Sequence, residues 1–328
     1  MERLIVKNFG PLKDVDIELN KINLFIGENG SGKSVLGKLI TILKNPMSNI
    51  DTFKSYNINY LNSDTYIKYV ADNGKYFMEF NGIKYATNSV TLGSNLSSQY
   101  IPAERNLISL FNKYVTTFIT ADIPLPKFLL NFSSQYVRAR EETAELDLLD
   151  MKYKFENDKE CIYYNDKDYL LLEHSSSGIQ SALPLYLTVK YFAKKHESII
   201  IEEPEQNLFP KAQLETIKYI IEQISDDNNL FMMTHSPYVL STLNTLMMAH
   251  KTGTLGEEAK KGVNKLFKEE QWINPTEFSA YYLENGVARD IKGRTGLISE
   301  NEIDEISDDM ACDFEELLSI FREHKNDK

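Results

Sequence analysis

Eight residues, Gly27 to Ser34, read GENGSGKS, and their types and spacing suit the cradling of phosphate. Gly27, Gly30 and Gly32 let backbone N–H groups curl around phosphate oxygens, with Asn29 and Ser31 filling the loop between them. A helix opening near Val35 would present its positive dipole end to the same oxygens. Lys33 has the reach to touch the β- and γ-phosphates, and the Ser34 hydroxyl is a suitable ligand for Mg²⁺. The context strengthens the match: an apolar strand, Ile22 to Ile26, precedes the loop, and a helix over Val35 to Leu43 follows it. The implied ligand is a nucleoside triphosphate. A glycine-rich turn without a ligand would rarely carry the whole pattern in this setting.

Three further segments could complete a phosphate-cleaving site. In ESIIIEEPEQNLFP, an isoleucine-rich strand delivers Glu202 and Glu203 to the carboxyl edge of a sheet, where α/β folds bind ligands. One carboxylate there can hold a metal-bound water, and the next can polarise a water for in-line attack. Two glutamates at a strand end are often plain surface charges, but the upstream phosphate loop favours the chemical role. His235 follows a second apolar strand in LFMMTHSP, within reach of a γ-phosphate or the attacking water. HSSSGIQSALPL, residues 174 to 185, sets three serines and a glycine ahead of a helix, which makes either an anion site or an ordinary N-cap. QYIPAERN, Gln99 to Asn106, reads as a strand end followed by charges.

The elements that must position these residues follow from hydrophobic periodicity. Leu4 to Val6 and Ile22 to Ile26 read as strands flanking a Gly10-Pro11 turn. Between residues 45 and 100, Asn73-Gly74 and Asn81-Gly82 separate strand-like runs and predict an antiparallel meander. Residues 103 to 150 read as mainly helical with a break at Pro124 and Pro126, and MKYKF, CIYYN and YLLLE as another strand set. From residue 178 the pattern alternates: helix Ile179 to Lys195, strand Ile199 to Ile201, helix from Pro210, strand Leu230 to Met233. Continuous apolar strands of this kind belong in a parallel sheet covered on both faces. No repeats or long heptad arrays are present, so no coiled-coil arm is expected.

Composition narrows the class. Across 328 residues 42% are hydrophobic, yet no apolar run approaches the ~18–20 residues of a membrane span. The opening MERLIVKNF has no secretory pattern, and Cys161 and Cys312 stand far apart, so neither a disulfide framework nor a zinc site is indicated. A soluble cytoplasmic protein is expected. The net charge of −12 argues against nucleic-acid binding by bulk charge, although a local basic patch acts independently of distant acids. The run ENEIDEISDDMACDFEE reads as the solvated face of a helix.

Taken in order, these segments resemble the ABC-type ATPases, specifically the soluble SMC-, RecF- and OLD-like branch. GENGSGKS is similar to Walker A, SSGIQ to the family signature, IIIEEPE to Walker B plus the catalytic glutamate, QNLFP to the D-loop and THSP to the switch-histidine loop. LIVKNFGPL resembles the opening strand of the branch, and the likeness covers residues 1 to about 245. It implies an α/β P-loop NTPase of ABC type with a mixed central sheet, an antiparallel β subdomain and a helical insertion. Residues 1–250 would form the ATPase domain, with the insertion at about 103–150, and residues 251–328 an α+β or helical extension. By the resemblance, Glu203, His235 and Lys33 are catalytic. Gly27 through Val35 (with Glu28 excepted), Ser177, Gly178 and Gln180 bind ATP, and Ser34 with Glu202 holds Mg²⁺.

The family's signature completes the site of a second subunit, so the resemblance implies a homodimer with two ATP molecules sandwiched between Lys33 of one chain and Ser177 and Gly178 of the other. Two departures stand out. Glu202 occupies a position usually held by aspartate, and either Gln99 or Glu104 could take the metal-sensing role of the Q-loop. The extension carries basic residues (Lys260, Lys261, Lys265, Lys268) but no nuclease pattern, and His196 and His250 read as helix-end residues. An ATPase subunit governing a separate effector, a nuclease or toxin, in a bacterial anti-phage system is the leading expectation. A RecF-like DNA-repair ATPase is the alternative, with Arg138, Arg140, Lys152 and Lys154 as candidate DNA contacts. A transporter subunit fits less well, and a non-enzymatic role for ATP is a further reading.

Overall fold

The computed structural model describes residues 2–71, 74–82, 84–88, 97–108, 120, 125–195, 197–299 and 312–322. Strands β1 (Glu2–Phe9) and β2 (Leu12–Leu19) form a hairpin about Gly10-Pro11, and β3 (Ile22–Ile26) leads through the glycine-rich loop into helix α1 (Lys33–Leu43). The Gly10-Pro11 turn thus joins β1 to β2, a strand the sequence reading passed over. The alternation of Val15, Ile17 and Leu19 inward with Asp14, Asp16 and Glu18 outward is the period-two signal of a half-buried strand. A short helix α2 (Ile50–Ser55), held by a reciprocal Asn49–Thr52 cap, precedes β4 (Tyr66–Ala71), β5 (Tyr76–Asn81) and β6 (Lys84–Thr87). These three strands are the expected antiparallel meander.

Strand β7 (Ser98–Ile101) runs into a 3₁₀ turn, Ala103–Leu107, and helix α3 (Lys127–Glu142) follows. Residues 109–119 and 121–124 of the expected helical insertion lie outside the described residues. Its last stretch is not helical: β8 (Glu145–Leu148) pairs with β9 (Met151–Glu156) because Leu146 and Leu148 alternate with acidic residues. With β10 (Lys159–Tyr163) and β11 (Tyr169–Leu171) these make a separate four-stranded antiparallel sheet.

Helix α4 (Ser177–Ala193), strand β12 (Ser198–Glu202), helix α5 (Pro210–Gln223) and strand β13 (Leu230–Thr234) alternate as the hydrophobic pattern predicts, and helices α6 (Pro237–Gly253) and α7 (Glu257–Val263) follow. The extension beyond residue 250 sends β14 (Phe278–Glu284) and β15 (Val287–Asp290) into the central sheet itself. That sheet has eleven strands in the order β6-β5-β4-β1-β2-β15-β14-β3-β13-β12-β7. Strands β14, β3, β13, β12 and β7 are mutually parallel. Every residue of β3, β12 and β13 is buried, and the side chains alternate between two cores. Leu24, Ile199, Ile201 and Met232 face one, while Phe25, Ile200, Phe231 and Met233 face the other. Coverage on both faces is what such continuous apolar strands require. It leaves their carboxyl ends, and the loops after them, as the open edge.

The acidic run of the C-terminus lies mostly outside the described residues, as does His196. Its end forms an exposed helix over 312–322. Among the described residues no helix is long and apolar enough to cross a membrane.

Candidate active site

The loop after β3 adopts the backbone its glycines permit. Gly27, Gly30 and Gly32 have φ of 147°, 83° and 103°, in the left-handed region that ordinary residues avoid. Gly32 caps α1 without a side chain, so the first N–H groups of an 11-residue helix remain directed at the loop. Lys33 is 8% exposed and its ammonium donates to the carbonyls of Gly27 (2.6 Å) and Glu28 (2.8 Å), folding the side chain back over the loop. Burial lowers its pKa, opposed by the charges of Glu203, Glu205, Glu202 and Glu28. Ser31 Oγ is buried without a protein partner. An orphaned hydroxyl in the loop ahead of a helix start fits an anion, because a phosphate oxygen would satisfy it. Asn29, Gly30 and Ser34 are exposed at the mouth, and Val35 is half-buried behind them.

Across the sheet edge stand the carboxylates. Glu202 ends β12 only 4% exposed, and its Oε1 has no hydrogen-bond partner. Burial pushes its carboxyl up; the Tyr100 hydroxyl, Lys38 and the Ser34 hydroxyl pull it part of the way back. Glu203 is the first residue past the strand, one-third exposed, with a left-handed backbone at φ 45°. That conformation costs a non-glycine residue roughly 1–3 kcal/mol. His235 Nδ1 lies 3.8 Å from Glu203 Oε1 and 4.0 Å from Glu205 Oε1. The predicted catalytic pair is therefore adjacent, on neighbouring strand ends.

Two participants were missed by the sequence reading. Glu205 is 5% exposed and accepts from Thr234 Oγ1 (2.6 Å) and the His235 N–H (3.2 Å), so it fixes the histidine loop against the EEPE loop. Arg105 is fully buried, and its guanidinium binds the carbonyls of Glu202 (2.7 Å) and Glu203 (2.6 Å). Burial lowers its pKa to about 10, still protonated at neutral pH, with the glutamates opposing the fall.

The serine-rich segment meets the same edge from the side. Ser176 caps α4, leaving Ser177 exposed at the helix start, and Gln180 Nε2 donates to the carbonyls of Glu173 and Ser175, which shapes the turn before it. Gly178 packs on the D-loop-like segment: a Cβ there would sit 2.8 Å from Asn207 O. Ser181 Oγ bonds Gln206 (3.2 Å), and Gln213 of α5 accepts from Ser236 Oγ at the start of α6 (2.6 Å). These contacts tie the starts of α4, α5 and α6 together along one rim. Phe209 and Tyr238 stand on that rim 78% and 46% exposed.

The Q-loop alternatives separate by geometry. Gln99 pairs with Ile199 at the start of β12, and its amide engages Glu197 and Gln135, at the opposite end of the strand from Glu202. Glu104 is exposed in the turn after β7, close enough for its charge to raise the Glu202 carboxyl. The basic residues proposed for DNA are largely committed elsewhere. Lys152 and Lys154 pair with Glu145, and Arg140 lies over the Phe155 ring and faces Glu160. In the extension, Lys260 pairs with Glu269 and Lys268 with Glu222.

A family model described as "AAA ATPase domain" matches residues 1–160 and 130–240 of the chain. The protein belongs to this AAA ATPase domain family. No curated protein matches the sequence. Among solved structures it is similar to the SMC head domain from Thermotoga maritima, at 13% identity over 88% of this chain and 97% of that one, with a TM-score of 0.46. It is also similar to the Smc head domain with an extended coiled coil bound to the C-terminal domain of ScpA, from Pyrococcus furiosus. There the identity is 12%, the coverage 89% and 96%, and the TM-score 0.45.

As a P-loop ATPase of this family, the chain binds and hydrolyses ATP. The residues present also fit a Mg²⁺ ion. A buried, unpartnered Glu202 oxygen and the Ser34 hydroxyl supply hard oxygen donors. Among the described residues no cage of three or more acidic, His or Cys side chains exists.

Proposed function

We propose that the protein is an ATP-driven dimer of ABC type that governs a separate effector, in the anti-phage setting its EEPEQNLFP segment resembles. The observation that carries the dimer is the rim itself. Ser177 is exposed at the start of α4, Gly178 packs on Asn207, and Phe209 and Tyr238 stand exposed at the starts of α5 and α6, while the Lys33 ammonium contacts Gly27 and Glu28 of its own loop. A helix start with exposed donors, flanked by uncovered aromatic rings, supports a second chain's nucleotide lying against it.

In this reading Lys33 swings from its two carbonyls to the β- and γ-phosphates, and the α1 N–H groups hold the remaining oxygens. Ser34 and Glu202 would hold Mg²⁺, which would supply positive charge to offset that developing on the phosphates. Glu203 polarises the attacking water, and His235, positioned by Glu205, donates to the γ-phosphate. Ser177 and Gly178 of the partner cap the same γ-phosphate. ATP at ~100 times its dissociation constant contributes about 2.7 kcal/mol per site. Two sites supply roughly 5.4 kcal/mol, close to the ~5.5 kcal/mol that moves an equilibrium from 1:99 to 99:1. Hydrolysis then releases the dimer.

Solution mass with Glu203→Gln tests this. An ATP–Mg²⁺-dependent shift from one chain to two, with turnover suppressed, is the expected result. A persistent monomer, or a variant that hydrolyses ATP at the original rate, would remove the clamp or the role of Glu203 respectively.

A further inference from the structure

Among the described residues Arg105 is the largest fully buried side chain, and it lies against the Glu202 and Glu203 backbone. Its planar fork serves three separate segments. Nε donates to Ser181 O in α4 (3.1 Å), Nη1 to Pro102 O (3.2 Å) and Glu202 O (2.7 Å), and Nη2 to Glu203 O (2.6 Å). A lysine ammonium could not reach carbonyls spread in this plane, because only guanidinium carries five donors in fixed directions.

The contact with Glu203 has a particular consequence. A left-handed non-glycine residue persists only where its surroundings over-determine it. Glu203 is gripped at both ends of its peptide, its N–H donating to Met233 O (2.8 Å) and its carbonyl accepting from Arg105. The same guanidinium holds the second turn of α4, whose Gly178 and Ser181 already touch Asn207 and Gln206. Helix, strand end and EEPE loop are bolted through one side chain.

We infer that Arg105 is a positioning residue for ATP hydrolysis: it fixes the Glu203 backbone in its left-handed turn and ties that turn to the serine-rich helix α4. The inference rests on Glu203 as the residue that polarises water. Without the fork, Glu203 would relax toward an ordinary backbone and carry its carboxylate off line, while the phosphate loop stays intact.

The test is Arg105→Lys in the full chain, with Arg105→Gln as a second variant should the first not fold. Turnover should fall on the order of 10²-fold, the effect of a misplaced reacting group. The dissociation constant for a fluorescent ATP analogue should change by less than about threefold, since the loop residues that bind phosphate are untouched. On a Glu203→Gln background Arg105→Lys should cost less than about a further threefold, as expected when one residue acts through the other. Turnover within about threefold of the parent, or the same loss on both backgrounds, would overturn the proposal. So would loss of fold and nucleotide binding in both variants, which would make Arg105 a residue of stability alone. If Glu203→Gln by itself hydrolyses normally, the role of Glu203 fails, an outcome read from that variant independently of Arg105.

Discussion

Glu202 is held in a site that leaves one of its oxygens buried and unpartnered, and this has a measurable price in the absence of metal. Glu202→Gln keeps the shape and removes the charge, so no cavity opens. A buried, unsatisfied polar group costs about 1–3 kcal/mol, and more when charged. The Gln amide still leaves a polar atom in that place, so only the extra cost of the charge is relieved, and we expect the metal- and nucleotide-free variant to be more stable than the parent by on the order of 1 kcal/mol at pH 8. The sign of the pH dependence follows from linkage. Burial raises the Glu202 carboxyl above its ordinary value of 4.5, so in the folded parent the destabilising charge exists only above that raised pKa. As pH falls through it, the folded parent takes up a proton and recovers stability. The advantage of the variant should shrink on acidification and be gone near pH 4.5. Urea unfolding at a series of pH values in chelator measures both effects. A variant less stable than the parent at pH 8, or a difference that ignores pH, would refute the burial argument. The same substitution should strongly impair Mg²⁺-dependent hydrolysis, since it replaces the anionic metal donor with a neutral amide.

Two further substitutions separate binding from turnover. Lys33→Ala deletes the cation that would meet the β- and γ-phosphates; a charge-assisted bond of about 1.5–3 kcal/mol predicts roughly 10- to 100-fold weaker ATP binding by titration. Unchanged affinity would exclude Lys33 from the phosphates. Gly178→Ala drives a Cβ to 2.8 Å from Asn207 O, so α4 must back away from the D-loop-like segment. Turnover should fall at least roughly tenfold with ATP affinity of the isolated chain preserved, and equal turnover would show that this close approach is dispensable.

The chemistry-bearing loops were legible because they sit in a strand–loop–helix grammar that is local. Strands β3, β12 and β13 are short apolar runs buried along their whole length, and the loops after them must emerge at one edge. Lys33, Glu202, Glu203 and His235 could therefore be placed together from sequence. What escaped the reading was non-local or disguised. Strand β14 enters the sheet beside β3 through pairs such as Phe278 with Ile22, and no window of neighbouring residues records such a partner. Strand β2 is half acidic, and only its alternation betrays it. Arg105 lies among Ala103, Glu104 and Asn106, a stretch that looks like surface charge. Its burial depends on carbonyls contributed from 76 to 98 residues away. Glu205 was in plain view within EEPE, but its role depends on Thr234 and His235 across a strand boundary.

The central claim is that each ATP is completed by the other chain, and subunit mixing tests it most directly. Lys33→Ala and Ser177→Arg are each expected to be inactive alone, one lacking the phosphate lysine and the other blocking the helix start. In a mixed dimer, one of the two sites recombines an intact Lys33 with an intact Ser177. An equimolar mixture should then recover turnover that neither variant shows alone, up to about a quarter of the parental value if mixed dimers form as fully as parental ones, since each has one sound site. A mixture as inactive as its components, under conditions where the parent dimerises, would contradict the account.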